Sequence, residues 1–332
     1  RTAADGTVVA QTSADAQGRF SAALPEGTYR VQTLVRGHAP ATRTVDLPPN
    51  GVKVDGSLAL SRITAPIAGT TDLPADYGPA STRTDTLLGT TYGYVANGKV
   101  SASIVPTVAG NNGAGAAQPG WLADLTIADG TASEFLDWSE HVLTTAQPGA
   151  PDWNRSGEWL GLPQITAAGD TVTASGSAQI DPNLKAKLSY RALPDAPVVE
   201  MTLELTNTGT TGFTGFYQYI IDPDSPVGSN DVTRVPGLAN NNPGYVRSGW
   251  TANYLYDGPL TTATGGPAQG LAWPAAQPPV ALSAQGYVAG LWFDASVAAG
   301  GTRTIRWYHI TDYPASGTDP TAAIAAWAAR VA

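Results

Sequence analysis

The chain has 332 residues, a formal net charge of −9 and a sequence pI near 4.7. No basic stripe is present, which disfavours nucleic acid and anionic membrane surfaces as partners, and no run of about 18 apolar residues exists to insert into a bilayer. Cysteine is absent, so disulfides, thiolate metal sites and Cys nucleophiles are excluded.

Only 14% of residues are charged, and 37 Gly and 26 Pro punctuate the chain. Turn formers at that density, with Val and Thr between them, predict many short strands and an all-β fold. The absence of Cys fits a secreted bacterial protein about as well as a cytoplasmic one, while the low Lys content and the richness in Thr, Gly and Trp lean toward secretion.

Residues 1–62 read as one unit. "GTVVAQTSA" alternates and ends in turn residues, "GRFSAALP" sets Phe20, Ala22 and Leu24 on one face, and "GTYRVQTLVRG" does the same with Tyr29, Val31, Thr33 and Val35. "TRTVDLP" and "VKVDGSLAL" add two short strands, which predicts a small sandwich.

"DAQGRF…LPEGTYRV…RGHAPATRTVDL" resembles the carboxypeptidase regulatory-like domain, a transthyretin-like β-sandwich. Asp15, Gly18, Phe20, Leu24, Pro25, Gly27, Tyr29, Gly37, Val45 and Leu47 match its pattern. The resemblance implies that the glycines make turns while Phe20, Leu24 and Tyr29 fill the core. It also implies an accessory role, and a first strand lying outside this sequence.

Residues 63–83 break both the helical and the strand period with Pro and Gly and read as a linker. Residues 84–332 form a second, longer unit holding all nine Trp. In "VVEMTLELTN", Val199, Met201, Leu203 and Leu205 share one face, while Val198, Glu200, Thr202, Glu204 and Thr206 share the other. This is the pattern of an antiparallel strand with one wet side. The end, "TDPTAAIAAWAARVA", predicts a helix with Asp319 as N-cap and Pro320 at its first position.

"DTVTASGSA…LKAKLSYRALPDAPVVEMTLELTNTGTTGFTGFYQYI" and "FDASVAAGGTRTIRWYH" resemble the galactose mutarotase-like super-sandwich. The resemblance implies a large antiparallel sandwich with a sugar cleft, where a His and a carboxylate act in the epimerases. One such His commonly follows the T-N motif; here the strand after Thr206-Asn207 reads Phe216-Tyr217-Gln218-Tyr219. Tyr and Gln do not relay protons at neutral pH as imidazole does.

Catalytic candidates are His309, which alternates with Trp307, and His141 with its neighbour Glu140. Adjacent residues on a strand point apart, so Glu140 and His141 make a poor acid–base couple. Asp222, Asp224 and Asp231 offer hard oxygen ligands for Ca²⁺, but without EF-hand spacing, and an Asp/Pro/Ser turn after a strand accounts for them better. No other cofactor is expected. "GNNGAGAAQPG" lacks the Lys and helix start of a phosphate loop.

The aromatics say more. "PGYVRSGWTANYLYDG" sets Tyr245, Trp250, Tyr254 and Tyr256 among Gly and Asn. Together with Trp153, Tyr217, Gln218 and Tyr219 they are candidate saccharide contacts, by stacking on the C–H faces of sugars. Such aromatics also plug the ends of large sandwiches; Trp292 and Trp307 read as core. The expectation is a carbohydrate-binding or scaffolding region of a larger protein, whose partners are a glycan and the missing N-terminal part. A sugar-active enzyme (epimerase, lyase or glycosidase) and a structural spacer or assembly domain are the alternatives.

Overall fold

A computed structural model describes residues 19–33, 38–39, 41–49, 61–62, 80–85, 90–97, 99–105, 120–127, 136–148, 158–223, 232–258, 268–285, 288–312 and 319–331. The strands are, in chain order, β1 (Gly27–Thr33), β2 (His38–Ala39), β3 (Ala41–Leu47), β4 (Ser61–Arg62), β5 (Ala80–Asp85), β6 (Thr90–Ala96), β7 (Val100–Val105) and β8 (Trp121–Ile127). They continue with β9 (Leu136–Thr144), β10 (Glu158–Trp159), β11 (Gln164–Ala168), β12 (Thr171–Ser177), β13 (Leu184–Ala192), β14 (Val198–Asn207) and β15 (Phe216–Pro223). Then come β16 (Val232–Arg234), β17 (Gly244–Val246), β18 (Tyr254–Gly258), β19 (Ala268–Ala272), β20 (Ala281–Gln285), β21 (Val288–Asp294) and β22 (Thr302–Asp312), and the helix α1 (Pro320–Val331).

Two antiparallel sheets make the sandwich. The larger has eight strands in the order β11-β12-β13-β14-β22-β19-β18-β16, and the other has six, β10-β9-β15-β21-β20-β17. A four-stranded sheet, β5-β6-β7-β8, lies beside β9, where Ser139 Oγ donates to the Leu122 carbonyl at 2.6 Å. Val95, Ile104 and Leu122 on this third sheet share one core with Val172, Leu188, Leu203, Leu291 and Trp307. Pairing in the third sheet begins at Ala80, inside the stretch that reads as linker.

The alternation read in β14 is what builds this core. Val199, Met201, Leu203 and Leu205 are fully buried between the sheets, while Glu200, Thr202, Glu204 and Thr206 keep partial solvent contact. Val198 is buried on the opposite side, where α1 covers the end of the larger sheet with Ile324 and Ala328 against Tyr256, Ala268, Ala272, Tyr308 and Ile310. The N-cap forms as expected: Asp319 Oδ1 accepts from the Thr321 amide at 2.9 Å. Gly270 is the contact point, because a Cβ there would meet Ile324 Cγ2 at 2.5 Å and the Leu255 carbonyl oxygen at 2.7 Å. Among the described residues no helix is long and apolar enough to cross a membrane.

In the N-terminal unit, β1 pairs with β3 and β2 with β4. Tyr29 and Val45 face each other and are buried, and Tyr29 Oη donates to the Pro25 carbonyl at 2.9 Å. Phe20 departs from the expectation: it is 39% exposed, and Leu24 is half-buried. The strand expected over "GRFSAALP" does not form: residues 19–25 run as irregular chain, with Phe20 and Ala22 exposed and so without a core face to pair against, while the strands expected on 7–15 and 52–60 lie outside the described residues.

Candidate functional site

The six-stranded sheet separates the sequence-predicted site residues onto its two sides. On β9 and β15 the register pairs His141 with Tyr219, Leu143 with Tyr217 and Ser139 with Ile221 on the inner side. Glu140 pairs with Ile220, and Val142 with Gln218, on the outer side. Glu140 and His141 therefore point apart, as neighbours on a strand must.

The inner side is dry. His141, Tyr217, Tyr219 and His309 are all 0% exposed. Tyr217 Oη lies 2.5 Å from His141 Nδ1, and Tyr190 Oη lies 3.4 Å from His141 Nε2. Tyr190 donates its own proton to the Gly120 carbonyl at 2.6 Å, so it accepts from His141 Nε2–H, and Nδ1 accepts from Tyr217. His309 repeats the scheme, with Nε2–H donating to Gln269 Oε1 at 2.9 Å and Nδ1 facing Tyr219 Oη at 3.4 Å.

Burial drives both imidazoles down from 6.5 to about 3. Burial likewise raises the hydroxyls of Tyr190, Tyr217 and Tyr219 well above their ordinary range. Both histidines are thus neutral at physiological pH and enclosed between the sheets. His141 and His309 are packing and hydrogen-bonding residues, not acids or bases facing a ligand. Tyr217 and Tyr219 are likewise core residues, because the even spacing that puts Gln218 outside puts them inside.

The other aromatic candidates divide similarly. Tyr256 is 1% exposed under α1, and Tyr254 is half-buried at the same edge. Trp250 is half-buried and meets Trp273 edge-on, with ring centroids 6.4 Å apart. Trp121 and Trp273 are buried at 1% and 0%. Trp153, Asp224, Asp231 and the Gly-rich stretch before Gly120 lie outside the described residues, as does the Asp222 side chain. Among the described residues no group of three His, Asp or Glu stands ready to hold a metal.

The T-N motif has a structural task. Asn207 Nδ2 donates to the Thr211 carbonyl at 2.7 Å and the Val297 carbonyl at 3.4 Å, and its Oδ1 accepts from the Gly209 amide at 2.9 Å. It ties the turn after β14 to the turn after β21.

The outer side of the six-stranded sheet is different. Its central positions Glu140, Val142, Gln218, Ile220 and Trp292 each retain 3–6% exposure, whereas their inner neighbours are at 0–2%. Gln218 sits between Val142 and Trp292 across three strands. Its Nε2 is buried and has no hydrogen-bond partner among the described residues. Such an orphaned donor costs about 1–3 kcal/mol unless something occupies the site.

Trp292 Nε1 donates to Ser283 Oγ at 3.2 Å, which leans the indole from β21 across to β20. Tyr245, opposite Ser283 on β17, stands beside them on the same face. The floor therefore combines an indole, apolar Ile220 and Val142, and polar Gln218, Glu140 and Ser283. Of these, the sequence reading named Gln218 as a ligand contact and Glu140 as a catalytic candidate. It placed Trp292 in the core, and at 5% exposure the residue is buried, but nothing in "GLWFD" says which side of the sheet it takes.

No protein-family model and no curated protein matches this chain. Among solved structures it is similar to a TPR-domain containing protein from Parabacteroides distasonis, at 11% identity and TM-score 0.49, over 70% of this chain. The chain spans about half, 48%, of that protein's length. It is also similar to galactose mutarotase-like proteins from Lactobacillus casei (9% identity, TM-score 0.41, 66% of this chain and 99% of that one) and Clostridium acetobutylicum (8% identity, TM-score 0.43, 71% and 98%).

Proposed function

We propose that this chain binds carbohydrate on the outer face of its six-stranded sheet, around Gln218 and Trp292, as a non-catalytic part of a larger secreted protein. The observation that carries the reading is the orphaned Gln218 Nε2, 3% exposed, set between Val142 and Trp292 in the middle of that face. A sugar supplies what the floor lacks: ring or hydroxyl oxygens to accept from Gln218, and a C–H face to lie on the indole. Ser283 anchors the indole, so the platform is ordered before any ligand arrives. That reduces the cost of binding.

Support for binding over turnover comes from the proton chemistry. Both described histidines of the sandwich are neutral and enclosed, and Glu140 is the single carboxylate among the central floor positions Glu140, Val142, Gln218, Ile220, Ser283 and Trp292, with Asp294 further along the same strand as Trp292. Acid–base catalysis on a sugar ordinarily employs two positioned groups.

Calorimetric titration against a panel of neutral mono- and oligosaccharides tests the reading. At least one sugar is expected to bind, and Gln218→Ala is expected to weaken it at least tenfold with the melting temperature held or raised. Absence of binding across the panel, or a Gln218→Ala variant that binds as well as the parent, overturns it.

A further inference from the structure

Residues 145–148 leave β9 at Thr144, whose Oγ1 accepts from the Ala146 amide at 3.0 Å, and end at buried Pro148. The Pro148 carbonyl accepts twice from the far side of the sheet: from Tyr245 Oη at 2.6 Å and from Arg247 Nη2 at 2.6 Å. Arg247 Nε also donates to Tyr245 Oη at 3.1 Å, and its guanidinium carbon lies 5.4 Å from the tyrosine ring centroid. The two side chains form one unit clasping one carbonyl.

Strands β9 and β17 are separated by β15, β21 and β20. Four strand spacings make roughly 19 Å, while four residues of extended chain reach about 14 Å. The segment must therefore run nearly straight over the sheet, and the Tyr245 and Arg247 side chains close the remaining gap. Tyr245 opposes Ser283, the residue that anchors Trp292, so the crossing lies on the outer face. The strap crosses the face that carries Gln218 and Trp292, which keep only 3% and 5% exposure.

We infer that Arg247 and Tyr245 latch the 145–148 strap over the Gln218–Trp292 floor and thereby govern access to Gln218. The purpose of the latch rests on the carbohydrate reading; its existence does not. Arg247 is exposed, so its removal releases the strap without opening the core. Released, the strap gains the freedom of a surface loop, and the floor becomes reachable from solvent.

The chain contains no cysteine, which allows a ligand-independent test. A Gln218→Cys variant places a single thiol on the floor, and Thr210→Cys, at an exposed turn position, serves as control. Alkylation by N-ethylmaleimide is expected to be at least tenfold faster for Gln218→Cys when combined with Arg247→Ala, and several-fold faster with Tyr245→Phe. The Thr210→Cys rate stays constant in all backgrounds. Circular dichroism and melting curves confirm that each variant is folded.

Equal alkylation rates at position 218 with and without the latch overturn the inference. In the parent background, Arg247→Ala is expected to speed both association and dissociation of a bound saccharide by about tenfold in stopped flow. If no saccharide binds the parent chain, the carbohydrate reading fails while the thiol rates still decide the latch.

Discussion

Tyr217 Oη donates to His141 Nδ1 over 2.5 Å between two sheets from which solvent is excluded. Removing the hydroxyl leaves the imidazole acceptor buried without a donor, which costs more than the bond's net worth. Tyr217→Phe is expected to lower unfolding free energy by about 1–3 kcal/mol in urea titrations. On the carbohydrate reading proposed above, saccharide affinity is expected to stay unchanged, because the ring faces away from Gln218. A loss of affinity without a loss of stability would place Tyr217 at the ligand after all.

The two enclosed histidines make stability depend on pH with a definite sign. Each has a folded pKa of about 3 against an ordinary 6.5. The unfolded chain thus binds more protons between those values, and stability falls as pH falls. The contribution is complete above pH 6.5 and is lost progressively toward pH 3. Each histidine adds about 1.4 kcal/mol per pH unit to the slope. Between pH 6.5 and 5, where ordinary carboxylates stay ionised, urea titrations are expected to show a slope that His309→Gln reduces by about half.

Asn207 carries the turn chemistry of the T-N motif through three hydrogen bonds to backbone groups of two loops. Asn207→Ala is expected to cost about 2 kcal/mol in chemical unfolding. The loss is expected to appear as faster amide exchange in residues 208–213 and 295–301. Unchanged exchange there would mean that the loops hold without the side chain.

The strand most legible in the sequence was β14, because one of its faces is dry and the other partly wet. The apolar and polar residues of "VVEMTLELTN" therefore separate cleanly by parity. β15 hides the same parity. Both its faces are buried, so Tyr217 and Tyr219 inside and Ile220 outside are equally apolar, and only Gln218 breaks the run. Tyr217 and Tyr219, read as ligand contacts, lie on the enclosed inner side of the strand, while Gln218, the lone polar residue of the run, lies on the outer side.

Trp292 and Trp307 looked alike in sequence for the same reason; only the packing of the two sheets puts Trp307 against Tyr217 and Tyr219, and only the pairing of β20 with β21 puts Trp292 beside Ser283. The strap was beyond reach altogether, since its latch joins residues 97 and 99 positions apart without any local signature.

Gly270 sets how closely α1 approaches the larger sheet, and it does so with no room to spare. A methyl group there would meet Ile324 Cγ2 at 2.5 Å and the Leu255 carbonyl oxygen at 2.7 Å. Ile324 is flexible only within a buried contact, and the carbonyl belongs to the sheet itself. Gly270→Ala is therefore expected to push α1 outward at a cost of about 1–3 kcal/mol. The movement loosens Trp327, whose Nε1 donates to Asp312 Oδ2 at 2.9 Å. Amide exchange in α1 is expected to rise well before global unfolding in the variant. Pairing Gly270→Ala with Ile324→Val relieves the clash with the side chain but not that with the carbonyl. The double variant is thus expected to recover part of the loss, and full recovery would assign the whole strain to Ile324.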